Sequence, residues 1–155
     1  MKKEQRAILA LVLASFLYAI LSASFASAAF IDNSSLNQIL YDCGELNTTG
    51  ATYTLNQSLS ISGGDNCVNI SADDIIVNGN GFEISGDGSG NGIYAESIDN
   101  LSIMNFANIT NFANGVYLVS TNNSYMQDSA VDINNAGIKL DSSSNDNTID
   151  DVNVS

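Results

Sequence analysis

Histidine and proline are absent from this 155-residue chain, lysine and arginine together number four, and there are two cysteines. Without histidine, the two thiols leave a zinc ion short of ligands. Without proline, nothing in the chain denies a strand its backbone donor. The shortage of cations argues against nucleic acid, whose phosphates need clustered Lys and Arg.

Three of the four basic residues lie in the opening Lys2-Lys3-Glu4-Gln5-Arg6. An uncharged apolar run over residues 7–21 follows, and then small residues ending in Ala26-Ser27-Ala28. This order reads as a signal peptide over residues 1–28, cleaved after Ala28. The alternative is an uncleaved N-terminal anchor, because nothing charged appears until Asp32. Cleavage would leave Lys139 as the one cation beside 16 of the 17 acids, a net charge of −15. Such a surface keeps a protein soluble and suits cations, neutral glycans or a salty exterior, while repelling anionic lipid. In an exported chain Cys43 and Cys67 are expected to pair.

What the chain does have is a repeat. Cys67-Val68-Asn69-Ile70, Gly92-Ile93-Tyr94-Ala95, Gly115-Val116-Tyr117-Leu118 and Gly137-Ile138-Lys139-Leu140 are versions of one phrase, spaced 25, 23 and 22 residues apart. A unit that short is no domain; it is one coil of a stack. Apolar residues alternate with a variable middle residue, as in a strand with one face buried. A second apolar patch follows at Ile75-Ile76-Val77, Leu101-Ser102-Ile103, Ser124-Tyr125-Met126 and Asn147-Thr148-Ile149, preceded by a polar column Asp74, Asn100, Asn123, Asn147. A third closes the coil at Phe82/Ile84, Ile109, Val131/Ile133 and Val152/Val154.

These patterns predict an all-β, right-handed parallel β-helix with three short strands per coil and about four coils over residues 67–155. Asn-Gly pairs at 78–79, 80–81, 91–92 and 114–115 are expected to be corners that need a left-handed residue. Residues 86–92 are expected to loop out of the coil, and residues 33–40 to form a helical turn or a strand. Residues 29–66 lack the phrase and are expected to cap the stack, stapled by the disulfide. The chain stops in mid-coil at Asp151-Val152-Asn153-Val154-Ser155, which suggests a solenoid continuing in a longer product.

Cys43-Gly44-x-Leu46, Ala51-Thr52-Tyr53-Thr54-Leu55, Cys67-x-x-Ile70 and the run from Ala72 to Gly81 carry a family likeness. They resemble the start of archaeal-type cell-surface right-handed parallel β-helix proteins, with repeats related to NosD and to carbohydrate-binding and sugar-hydrolysing modules. The resemblance covers about residues 41–155 and implies a secreted or envelope-attached solenoid. The family's catalytic sets do not carry over: lyases of the pectin type use Arg or Lys, and only Lys139 is available. The galacturonan hydrolases require a His and an Arg-x-Lys that this chain lacks. A copper role on the NosD pattern would want soft ligands, and Met104 and Met126 stand alone.

Four sets of residues remain as candidates. Asn69, Tyr94, Tyr117 and Lys139 form an outward column that offers a platform for a sugar ring, or merely stabilises the sheet by cross-strand stacking. Asn105, Asp128 and Asp151 fall in one column, as a corner ladder, a pair of glycosidase carboxylates or oxygen ligands for Ca²⁺. The adjacent acids Asp73-Asp74 and Asp150-Asp151 would face opposite ways on a strand. Asn47 and Asn56 are the favoured glycosylation sequons among eight; the others are Asn33, Asn69, Asn100, Asn108, Asn122 and Asn153. The resulting expectation is a non-catalytic structural or adhesion module, exported, with envelope glycans or proteins as partners and no cofactor. The alternatives are the N-terminal part of a polysaccharide lyase or glycoside hydrolase, and a glycan-binding module.

Overall fold

The computed structural model describes residues 36–155, so the expected signal peptide and its cleavage site lie outside the described residues. Strand β1 (Asn37–Leu40) leads into a first coil of β2 (Gly44–Leu46), β3 (Thr52–Leu55) and β4 (Leu59–Ser60). The second coil is β5 (Val68–Ile70), β6 (Ile76–Asn78) and β7 (Glu83–Ser85); the third is β8 (Asn91–Glu96), β9 (Ser102–Met104) and β10 (Asn108–Thr110). The fourth is β11 (Asn114–Val119) and β12 (Tyr125–Asp132), and the fifth is β13 (Ala136–Asp141) and β14 (Thr148–Val154). Every pairing is parallel, and no helix occurs among the described residues. One face runs β13-β11-β8-β5-β2; the others run β1-β3-β6-β9 and β4-β7-β10 and meet at the long β12, on which β14 lies. The result is a parallel β-solenoid of about five turns.

The four phrases stack as the repeat predicts: Val68, Ile93, Val116 and Ile138 are register partners, as are Ile70, Ala95, Leu118 and Leu140. The segment expected to be a cap joins the same register, because Gly44 pairs with Val68 and Leu46 with Ile70. It is therefore a first coil, with β1 beneath β3 on one wall. Cys43 consequently sits beneath Cys67, and the two form a disulfide across a Cα separation of 4.5 Å, close to the spacing of adjacent strands.

Three inward columns build the core: Leu46, Ile70, Ala95 and Leu118 on one wall, Tyr53, Val77, Ile103 and Met126 on the second, and Leu59, Ile84, Ile109 and Val131 on the third. All twelve are buried. The fifth member of each column is not: Leu140, Ile149 and Val154 are 43%, 48% and 49% exposed. Among the described residues, these columns are thus buried in the first four coils and half exposed in the fifth.

Corners are where the sequence reading needs correction. The left-handed residues are columns of Ser, Asn and Asp: Ser97, Ser120 and Ser142; Asp74, Asn100, Asn123 and Asp146; Asn105, Asp128 and Asp151. Asn and Asp visit this region at least cost because a short polar side chain bonds locally. The fourth member of the Asp74 column is therefore Asp146, not Asn147, which opens the following strand position with its side chain turned down to Ser124 N–H and Thr121 C=O. At the Asn-Gly pairs, Asn80 and Gly81 are left-handed, but Gly79, Gly92 and Gly115 are not. Gly92 and Gly115 are small for a different reason. A Cβ on Gly92 would meet Ile109 Cγ2 and the Gly115 carbonyl oxygen, each at 2.5 Å. A Cβ on Gly115 would strike Val131 Cγ1 and lie 2.7 Å from the Gly137 carbonyl oxygen. These glycines let the third wall press on the first.

Two further placements differ from the sequence patterns. Ile84, Ile109, Val131 and Val154 form the third column, but Ile133 turns outward at a left-handed corner above Asn111, with φ of 54° and 76% exposure. Of residues 86–92, expected to loop out of the coil, only 86–90 lie outside strands, while Asn91 and Gly92 open β8. The segment stays tied to its neighbours: Gly86 and Gly88 N–H donate to the Thr110 and Asn111 carbonyls, and Asp87 Oδ2 accepts Gly63 N–H at 2.7 Å. Residues 37–40 settle as strand.

Candidate functional site

The outward middle positions of β2, β5, β8, β11 and β13 carry Glu45, Asn69, Tyr94, Tyr117 and Lys139 in one column. Strand alternation places them there, since their neighbours on both sides belong to the core. Tyr94 and Tyr117 meet edge to face, with centroids 5.6 Å apart and planes at 60°. Lys139 Nζ stands 4.2 Å from the Tyr117 centroid, a cation–π contact. The Tyr94 hydroxyl donates to Glu96 Oε2 at 2.8 Å, and the Tyr117 hydroxyl to Asp141 Oδ2 at 3.2 Å. Lys139 lies 3.6 Å from the same Asp141 oxygen.

Titration behaviour follows from these contacts. Tyr94 is raised, first by its hydrogen bond to Glu96 and then by loss of solvent. Lys139 is raised, chiefly by its hydrogen bond with Tyr117. Asp141 is lowered, first by the Ser142 backbone N–H and then by the Tyr117 hydroxyl. The patch is thus a charged, hydrogen-bonded cluster. One face of Tyr117 is occupied by the ammonium, and the two rings share no plane on which a single sugar could lie flat. Glu96, Asp141 and Glu45 belong to this patch and were missed from sequence. Glu96 and Asp141 are legible in hindsight, because each is two residues beyond a column member and so on the same strand face.

The polar corner residues bind one another. Asn91 joins Asn66 and Asn114 in a ladder of 2.7 Å side-chain bonds. Asp73 Oδ1 accepts the Asp99 N–H at 2.9 Å, and Asp74 Oδ1 accepts from Asn100 Nδ2 at 2.9 Å. Asp150 accepts from the Tyr125 hydroxyl at 3.0 Å, which raises the Tyr125 pKa. Asn105, Asp128 and Asp151 do fall in one column, at corners with φ of 58°, 48° and 48°. The Asn105 amide donates to Asn78 Oδ1 at 3.2 Å. No group of three or more His, Cys, Asp or Glu side chains suited to a metal ion occurs among the described residues. Between Asn78, Asn80, Asn105 and Asp128 lies a shallow, open depression of mixed character, lined also by Phe106 and Ala107.

Among the sequons, Asn47 follows β2 and Asn56 follows β3, both exposed in the loops of the first coil. Asn100, Asn108 and Asn122 spend their side chains on ladder bonds to Asp74, Asp132 N–H and Asp99. Asn69 is half-buried in the tyrosine column, and Asn33 lies outside the described residues.

Compared with protein-family models, with curated proteins and with solved structures, the chain finds no match.

Proposed function

We propose that the chain is a structural module of a cell envelope or extracellular matrix: a stiff, acidic β-solenoid that displays side-chain columns and acts by contact rather than by chemistry. The observation that carries this reading is the use made of the polar side chains. Acids that a carbohydrate-active enzyme would gather around a cleft are here bonded from coil to coil: Asp73 to Asp99, Asp74 to Asn100, Asp99 to Asn122 and Asp150 to Tyr125. The Cys43–Cys67 disulfide supports a compartment outside the cytoplasm. No helix among the described residues is long and apolar enough to cross a membrane. The sequence resemblance to archaeal-type cell-surface β-helix proteins suggests the same reading, with envelope glycans or proteins as partners and no cofactor.

A second reading rests on Tyr94, whose ring is flanked by the carboxylate of Glu96. That pair is suited to a neutral sugar, with stacking from the ring and hydrogen bonds from the acid. Two experiments separate these readings from an enzymatic one. The oxidised protein is incubated with neutral and acidic polysaccharides while new reducing ends and unsaturated products are followed; no turnover is expected. Product formation lost on Asp128→Asn or Asp151→Asn would refute the structural assignment. Binding to a glycan array is then compared with that of Tyr94→Ala, and equal signals would dismiss the tyrosine site.

A further inference from the structure

Of the eight Asn-x-Ser/Thr sequons in the chain, seven fall on described residues. The stack separates these seven, because a sugar acceptor needs a surface loop on which its amide and the hydroxyl two residues on are both accessible. Asn69 lies on β5 between Glu45 and Tyr94, and Ser71, the third residue of its sequon, donates its hydroxyl to Glu45 Oε1 at 2.6 Å. Asn108 lies on β10 and accepts the Asp132 N–H. Asn100 and Asn122 donate their amides to Asp74 and Asp99, and Ser124, which completes the Asn122 sequon, is buried. Asn153 is exposed on β14, but the Ser155 hydroxyl donates to Asp132 Oδ1 at 2.7 Å.

Asn47 and Asn56 differ from those five. Asn47 follows β2 at the turn from the first wall to the second, and Asn56 follows β3 at the turn from the second wall to the third. Both are exposed and outside strands, and neither side chain is hydrogen-bonded among the described residues. The backbone beside Asn47 is held by other groups: Thr48 N–H donates to the Tyr53 hydroxyl and Gly50 N–H to the Asp73 carbonyl, each at 3.2 Å. That loop therefore keeps its shape without using the Asn47 amide. Thr49, which completes the sequon, is exposed as well. Ser58, which completes the other, accepts the Glu83 N–H at 3.2 Å and keeps its own proton free.

We propose that Asn47 and Asn56 are sites of N-linked glycosylation and that the other five described sequons stay bare. In the transfer, the side-chain Nδ2 forms a bond to the anomeric carbon of an oligosaccharide carried on a lipid phosphate. The bond from that carbon to the phosphate oxygen breaks, Nδ2 gives up one proton, and the lipid phosphate departs. The sugars would stand at two corners of the first coil. The column of Tyr94 and Tyr117 would remain uncovered, since Asn69 within it carries none. This inference rests on the envelope reading, because the transfer accompanies export.

The test takes the full chain from its source cells and reads intact mass and peptide masses. Peptides containing Asn47 and Asn56 are expected to carry sugar, and those containing Asn69, Asn100, Asn108, Asn122 or Asn153 none. Thr49→Ala should remove the sugar at Asn47 and keep that at Asn56, whereas Thr49→Ser should keep both. An exported, disulfide-bonded chain that is bare at either site would overturn the proposal and leave the envelope reading standing. Sugar on any of the other five, or sugar kept at Asn47 in Thr49→Ala, would overturn it in the same way. A chain retained in the cytoplasm with free thiols would overturn both.

Discussion

Ile103 and Ile149 occupy the same inward column two coils apart, joined through Met126, and differ mainly in what lies above them. Ile103 is 1% exposed between Val77 and Met126, while Ile149 in the fifth coil is 48% exposed. Truncating Ile103 to alanine removes buried carbons and leaves a cavity that two neighbouring coils hold open, for a cost of about 3 kcal/mol. Truncating Ile149 removes half-solvated carbons and leaves no enclosed void, so the cost falls to about 1 kcal/mol. Urea unfolding monitored by circular dichroism reads the difference as a shift in midpoint. At a slope of roughly 1–3 kcal/mol per molar, Ile103→Ala should lower the midpoint by about 1–3 M and Ile149→Ala by about a third as much. Exchange rates of β14 amides supply a control, because a terminal coil can fray separately from the stack. Equal midpoint shifts for the two variants would show that Ile149 is as enclosed as Ile103, and the exposure of the fifth coil would be refuted.

Other expectations follow from single features. Ile133 is a β-branched residue at φ of 54° directly above Asn111 at 60°, so Ile133→Asn should stabilise the protein by about 1 kcal/mol, read as a raised melting temperature. Gly115→Ala should destabilise by about 1–3 kcal/mol through overpacking against Val131, and a double-mutant cycle with Val131→Ala should recover part of that loss. Reducing the disulfide reopens a loop whose ends are 24 residues apart and should cost about 3 kcal/mol on the loop-entropy model, seen as a lower melting temperature with reductant that Cys43→Ala/Cys67→Ala reproduces. Asp141 and Asp87 both titrate below their ordinary value of 3.8, Asp87 chiefly through the Ser89 hydroxyl. Their contribution to stability is therefore present above about pH 4 and lost as pH falls through the lowered values. The melting-temperature gap between the wild type and Asp87→Asn/Asp141→Asn should be constant near neutrality and shrink below that point.

Much of the architecture was legible because a stacked fold writes its period into the sequence. The phrase beginning at 67, 92, 115 and 137 fixed the register of the first wall, and alternation within it separated Tyr94 and Tyr117 from the core. The first coil was harder to see. Cys43-Gly44-Glu45-Leu46 matches the phrase only in its first and last residues, and a charged Glu45 stands where later coils carry Asn or Tyr. The third wall was blurred because Val131 and Ile133 look alike in a hydropathy pattern, while one is buried and the other sits on a left-handed corner.

Sequence alone determined the period, the inward and outward faces and the cysteine pair, since each depends on residue type and on spacing within one strand. Tertiary structure decided the rest. Only the stack showed that Gly92 and Gly115 answer to a facing wall rather than to their own dihedral angles. Only the stack turned Tyr117, Lys139 and Asp141 into one cluster, across 24 residues of chain. The physical reason is that coil-to-coil contacts join residues about one period apart, and their identity depends on small shifts in coil length. The corners absorb these shifts: Tyr117 stacks on Lys139, 22 residues on, while Tyr125 in the same coil stacks on Thr148, 23 residues on.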